Sequence, residues 1–241
     1  MKPKILFEVC VDSVDSALAA QEGGADRIEL CSVLSEGGIT PSHALIEQAL
    51  SKINIPINVL IRPRPGDFCY SENEFEIMKR DIEFVKSLEL NGVVFGILNI
   101  DGTIDKKRNT ELIEYARPMS VTFHRAFDLT PGPFEALELL ILMEFDRILT
   151  SGHESIVPEG LELLKALVKR AGDKIIVMPG GGVNENNVKH ILNITNAKEI
   201  HSSASVIRKN DSTVDGSKII GRSLIKITSV EKVKAIVSQI T

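Results

Sequence analysis

The sequence predicts an α/β protein, a closed (β/α)8 TIM barrel forming one domain over residues 1–241 and ending in a C-terminal helix. Three observations predict it. Short β-branched runs begin near Ile5, Asp26, Ile57, Gly92, Ser120, Asp146, Lys174 and Ala197, with room for one helix in each interval. Alternating strands and helices impose a parallel sheet, because each crossover returns the chain to the same end, and eight such units are the count of the barrel. The first strand also runs into Cys10-Val11-Asp12-Ser13. An open dinucleotide-binding sheet would place a glycine-rich turn there.

The punctuation follows the same register. Residues 1–13 carry a short apolar run broken by Glu8, which reads as the first strand and not as a signal peptide. Thr40-Pro41 and Thr130-Pro131 read as an N-cap followed by a proline at the first helical position, where the missing N–H costs nothing. Ser71 with Glu74, and Thr228 with Glu231, have capping-box spacing. Glycines cluster after strands, at Gly37-Gly38, Gly152 and Gly180-Gly181-Gly182. The polar stretch from Ser202 to Arg222 is too long for an ordinary connection, so a lid, a binding loop or disorder is expected there.

Composition excludes several classes. Lys and Arg total 28 against 33 Asp and Glu, a net charge of −5 without a basic cluster, which argues against nucleic-acid binding. No run approaches 18 apolar residues, so no membrane span is expected. Three cysteines in a chain of this size do not suggest a disulfide framework, and a reducing cytoplasm is the expected location.

Strand parity locates the chemistry. Residues of equal parity share a face, which groups Glu8 with Cys10, Arg27 with Glu29 and Cys31, Asn58 with Arg62, Thr122 with His124, and Glu199 with His201. The outer face of a barrel packs on helices and must be apolar, so these polar residues should point inward, most of them near the carboxyl-terminal mouth where barrel sites form. Arg27, Arg62 and Arg147 can pair with Glu8, Glu29 and Glu199, and such pairs could equally be structural filler. Cys10 and Cys31 end adjacent strands in phase, which would suit a soft Cu(I) ion, although buried cysteines also pack as small hydrophobes. No four-ligand zinc pattern is present, and Cys69 reads as an incidental loop thiol.

Three further motifs carry candidate chemistry. Arg62-Pro63-Arg64-Pro65 offers two planar forks for carboxylate or phosphate. Phe123-His124-Arg125-Ala126-Phe127-Asp128 offers His124 as a general base or ligand, with Asp128 either orienting it or capping a helix. Gly180-Gly181-Gly182 before a helix resembles the anion cradle of barrel enzymes, which Ser151 and Gly152 could extend. His43, His153 and His190 read as surface or capping residues.

Glu8-x-Cys10, the run from Gly24 to Cys31, Gly37-Gly38-Ile39-Thr40-Pro41-Ser42, Ile61-Arg62-Pro63-Arg64 with Gly66-Asp67-Phe68, Phe123 to Asp128, and Arg147 to Gly152 together resemble the CutC family of copper homeostasis proteins. The resemblance covers Phe7 to about Ser202. It implies a cytoplasmic (β/α)8 barrel, assembled as a homodimer or higher homo-oligomer, linked to copper tolerance, with Cu(I) at Cys10 and Cys31; no catalysed reaction is established for the family. Cys69 falls outside the family's pattern and is left out of the site.

Two functions follow. One is a cytoplasmic Cu(I)-binding protein acting through Cys10 and Cys31. The other is a barrel enzyme acting on a small anionic, phosphorylated or similar, substrate. In the second, His124 or Glu29 moves protons, Glu8 joins the catalytic layer, and Arg62, Arg64 and the glycine loop hold the anion.

Overall fold

The computed structural model describes residues 4–208 and 225–241. Eight parallel strands lie side by side in chain order: β1 (Leu6–Val11), β2 (Arg27–Leu30), β3 (Ile57–Leu60), β4 (Gly92–Phe95), β5 (Ser120–Phe123), β6 (Arg147–Thr150), β7 (Ile176–Pro179) and β8 (Glu199–Ser202). Each begins within two residues of its predicted start. β1 pairs with β2 on one side and β8 on the other, and a parallel bridge from Gly180 to His201 joins β7 to β8. That bridge closes the ring.

Helices α1 (Val14–Gly23), α2 (His43–Leu50), α3 (Glu72–Ser87), α4 (Lys106–Ala116), α5 (Pro133–Leu142), α6 (Leu161–Ala171) and α7 (Val188–Thr195) follow the first seven strands. α8 (Val230–Ile240) packs between α7 and α1, so among the described residues the C-terminal helix is itself the eighth of the ring. Before it stands an antiparallel hairpin of β9 (Ser205–Ile207) and β10 (Lys226–Thr228). Most of the long polar stretch predicted as a lid, binding loop or disorder lies outside the described residues. No helix among them is long and apolar enough to cross a membrane.

Helix starts show which hydroxyls were free to cap. Ser71 and Glu74 form the predicted capping box of α3. At three other places the start shifts. α2 is capped by Ser42 because the Thr40 hydroxyl already accepts from the Arg62 N–H. α5 opens at Gly132-Pro133, since Thr130 donates to the Phe127 carbonyl and closes the preceding 3₁₀ turn. α8 is capped by Ser229, because Thr228 still belongs to β10 and bonds the Ser203 carbonyl. A side chain already engaged elsewhere cannot satisfy the orphan N–H groups of a helix.

The two faces of the strands separate as parity requires. Phe7, Val9, Ile28, Leu30, Val59, Val93, Val121, Ile148, Val177 and Ile200 face the helices in one continuous apolar core. Inside the barrel lies a layer of charge. Arg27 bonds Glu8 through Nε and reaches Glu199 through Nη2 at 2.6 Å. Arg147 donates to Glu199 at 2.8 Å and to Ser120 Oγ at 2.6 Å, and Asn58 Nδ2 donates to Glu8 at 3.1 Å. Gly92 makes room for this layer, since a Cβ there would lie 2.5 Å from Asn58 Oδ1. Removing one partner from a buried ion pair leaves an uncompensated charge. Arg27→Met is therefore expected to lower stability by about 3–5 kcal/mol at pH 7, measured by urea denaturation; a change under about 1 kcal/mol would show that the layer is not holding the strands.

Candidate functional site

A cavity of about 570 Å³ opens above the charge layer, at the carboxyl ends of the strands. Its floor is made by Cys10, Glu29 and His201, inward-facing residues of β1, β2 and β8. One ligand atom from each lies within 4.8 Å of the others, and all three residues are buried. Closure of the ring beside β1 puts His201 there. Its Nδ1 lies 3.0 Å from Glu8 Oε1, and its Nε2 lies 3.7 Å from Glu29 Oε2.

Charge divides unevenly over these groups. Burial alone would raise the Glu8 carboxyl, but the Arg27 guanidinium and His201 hold it down at about 2. Glu29 has no arginine bonded to it: burial pushes it up to about 7, His201 opposes this, the Glu8 charge adds to it, and Arg27 lowers it a little. Burial works against protonating His201, yet the Cys10 sulfur with its hydrogen bond, Glu8 and Glu29 together draw its pKa well above the ordinary histidine value. The floor therefore combines a soft sulfur, an imidazole anchored from below and a carboxyl near neutrality.

Cys31 takes a different place. β1 and β2 pair Cys10 with Glu29, so Cys31 stands two residues further along and its thiol donates to the Val11 carbonyl at 3.4 Å. It packs with Leu60, Val94 and Leu34, is absent from the cavity lining, and burial pushes its pKa up. Cys69 is half-buried on the β3–α3 loop, bonded to the Asn99 carbonyl.

His124, the residue after β5, lies on the cavity wall. Its Nδ1 accepts the Ala126 backbone N–H at 3.2 Å. An accepting Nδ1 carries no proton, so the neutral ring bears its proton on Nε2. That nitrogen is buried without a partner among the described residues. Burial and the nearby Arg62 charge pull the His124 pKa down to about 3. Such a group donates a hydrogen bond and is a poor general base at neutral pH. Asp128 does not orient it: the Asp128 carboxylate accepts from Arg125, the Thr150 hydroxyl, the Ser151 amide and hydroxyl, and the His153 amide.

The two arginines of the β3–α3 loop separate. Arg62 lines the cavity, stacks on Phe68 at 4.9 Å, and spends its terminal nitrogens on the carbonyls of Glu36, Gly38 and Gly66. Arg64 lies off the cavity, tying Glu74 and Asp67 together over Tyr70. In the glycine run, Gly180 N–H donates to the Thr150 carbonyl. Gly181 and Gly182, at φ +116° and +74°, present amides with no acceptor among the described residues. Arg125 Nη1 lies beside them, also without an acceptor there, 3.2 Å from where a Gly181 Cβ would stand. Ser151 and Gly152 do not extend this wall, since their amides go to Asp128 and Thr150. Arg125 was only part of a motif in the sequence, because nothing linear places the second residue after β5 against the loop after β7.

The chain's relatives agree with this architecture. The family model described as the CutC family matches residues 5–206. A human protein named copper homeostasis protein cutC homolog is 48% identical, covering 96% of this chain and 87% of the relative. A CutC family protein of Parabacteroides distasonis is also 48% identical, covering 96% and 99%. The crystal structure of a Streptococcus agalactiae protein described as copper homeostasis protein CutC superposes with a TM-score of 0.79 at 33% identity, covering 83% of this chain and 98% of that one. A phosphoribosylanthranilate isomerase from Thermotoga maritima shares the barrel, at TM-score 0.60 and 14% identity over 98% and 97% of the two chains.

The His124 assignment has a pH signature. Its folded pKa lies below the unfolded value near 6.5, so its contribution is fully present above pH 6.5 and is lost as pH falls toward 3. Between those values the unfolded chain takes up a proton that the fold excludes. His124→Gln is expected to flatten the fall in stability over that window, followed by urea midpoints at half-unit pH steps. Equal slopes for the two proteins would refute a neutral, buried imidazole.

Proposed function

This chain belongs to the CutC family, and from that premise we propose that it serves copper homeostasis in the reducing cytoplasm by holding Cu(I) at the cavity floor. The observation that carries this is the cluster of Cys10, Glu29 and His201, with donor atoms within 4.8 Å of one another. Thiolate and neutral imidazole are donors a soft monovalent ion accepts, so binding displaces the protons of Cys10 and His201, and Glu29 is the harder, more weakly matched group. Cys31 is the second thiol of the sequence reading. To join Cys10 on an ion it would surrender its bond to Val11 and leave its packing on Leu60. We therefore assign His201 as the first partner of Cys10 and Cys31 as the alternative. In this reading the protein works as a homodimer or larger homo-oligomer, as the family resemblance implies.

Competition with a chromophoric Cu(I) chelator tests the assignment. Cys10→Ser is expected to weaken Cu(I) at least about tenfold, since it removes the soft ligand. A comparable loss in His201→Gln with little change in Cys31→Ser supports the Cys10–His201 pair, and the reverse order restores the paired thiols. Unchanged affinity in Cys10→Ser would end the copper reading.

A second reading rests on a separate observation: Gly181, Gly182 and Arg125 line the cavity together, and the two amides and Arg125 Nη1 have no acceptor among the described residues. Donors of this kind form an oxyanion cradle, which suits an enzyme acting on a small anionic substrate. Wild-type protein is then expected to bind inorganic phosphate by calorimetry. Gly181→Ala, whose methyl would stand 3.2 Å from Arg125 Nη1, is expected to abolish that binding; phosphate binding that persists in the variant would place the anion elsewhere.

A further inference from the structure

We propose that the cavity binds a small oxyanion-bearing carbonyl compound, its anionic group on Gly181, Gly182 and Arg125 and its carbonyl oxygen on the Nε2–H of His124. This rests on the reading of the glycine wall as an anion cradle and adds the second half of the ligand.

The argument starts from the fixed tautomer. The Ala126 N–H occupies Nδ1, so Nε2 carries the proton and can only donate. The ring cannot turn over to exchange the two nitrogens without losing that bond. Its Nδ1 edge is pressed on the backbone just after β4, where a Gly96 Cβ would lie 2.9 Å from both Nδ1 and Cε1. Phe68 packs on it at 4.7 Å between ring centroids. A buried donor with no acceptor costs free energy in the empty fold. Here that donor, Nε2, belongs to a residue lining a cavity whose wall holds three more unmatched donors. Four donors and no matching acceptor select a ligand by what it must present: an oxyanion and a separate oxygen that only accepts. A carbonyl meets the second demand, and a preorganised neutral imidazole polarises it. Arg62 reinforces this, since its charge disfavours protonation of the ring and keeps it a neutral donor.

The experiment uses the intact protein and matched probes. Dihydroxyacetone phosphate and glycerol 3-phosphate share an anion and differ by a carbonyl; acetoacetate and 3-hydroxybutyrate do the same for a carboxylate. One pair is expected to show about tenfold tighter binding of the carbonyl member, the worth of one hydrogen bond, and which pair does so identifies the anion. In ¹⁵N-labelled protein the His124 Nε2 proton should shift on saturation with that carbonyl probe and stay in place with inorganic phosphate. His124→Phe should erase the preference while leaving the affinity for inorganic phosphate unchanged. Absence of a carbonyl preference, or a silent Nε2 proton, overturns the proposal while leaving the cradle standing if Gly181→Ala still abolishes phosphate binding. Loss of all anion binding in the wild type overturns both.

Discussion

Charge closure inside the barrel is the constraint on which the rest depends. Glu8, Arg27 and Glu199 are buried and Arg147 is half-buried, on four strands, so each must be neutralised by another. Arg27 does most of this by bridging β1 and β8, the first and last strands of the barrel. The same network decides the state of the groups above it. Glu8 stays ionised because Arg27 holds it, and an ionised Glu8 anchors His201 from below. Glu29, one layer higher and without its own arginine, is the carboxyl left near neutrality.

Most of this scaffold was legible in the sequence because it follows from a period of two. Parity alone sent Glu8, Arg27, Glu29, Asn58, Thr122, His124, Glu199 and His201 to the inner face, and all are found there or at its mouth. What parity cannot supply is stagger. Cys10 and Cys31 occupy equivalent ends of their strands in the sequence, yet the register pairs Cys10 with Glu29 and leaves Cys31 a layer away. His201 escaped selection as a site residue although its parity was read, because its nearness to Cys10 requires the eighth strand to return beside the first. Loop residues were less legible still. Arg64 and Asp128 look like site residues by type, but each is consumed by local partners that only the folded loop brings within reach. The caps of α2, α5 and α8 shifted for the same reason.

The cavity thus has two chemistries that meet without overlapping. Its floor is built of groups that share protons and can accept a soft cation. Its wall is built of amides, a guanidinium and an imidazole N–H that can only give hydrogen bonds. Arg62 and Phe68 lie between them, stacked together at 4.9 Å, with Arg62 pinned to three carbonyls of two loops. That arginine is more a fastener of the rim than a free ligand, which separates its role from that of Arg125.

The charge layer has one more consequence. Because Glu8, Arg27, Glu199 and their partners fill the barrel's cross-section, the chamber above them is blind-ended. Among the described residues, whatever enters by the mouth, beside the paired strands β9 and β10, meets that layer as a floor. Among the described residues, then, the chamber is a vessel closed below by its own charges, filled and emptied from the side of the strands' carboxyl ends.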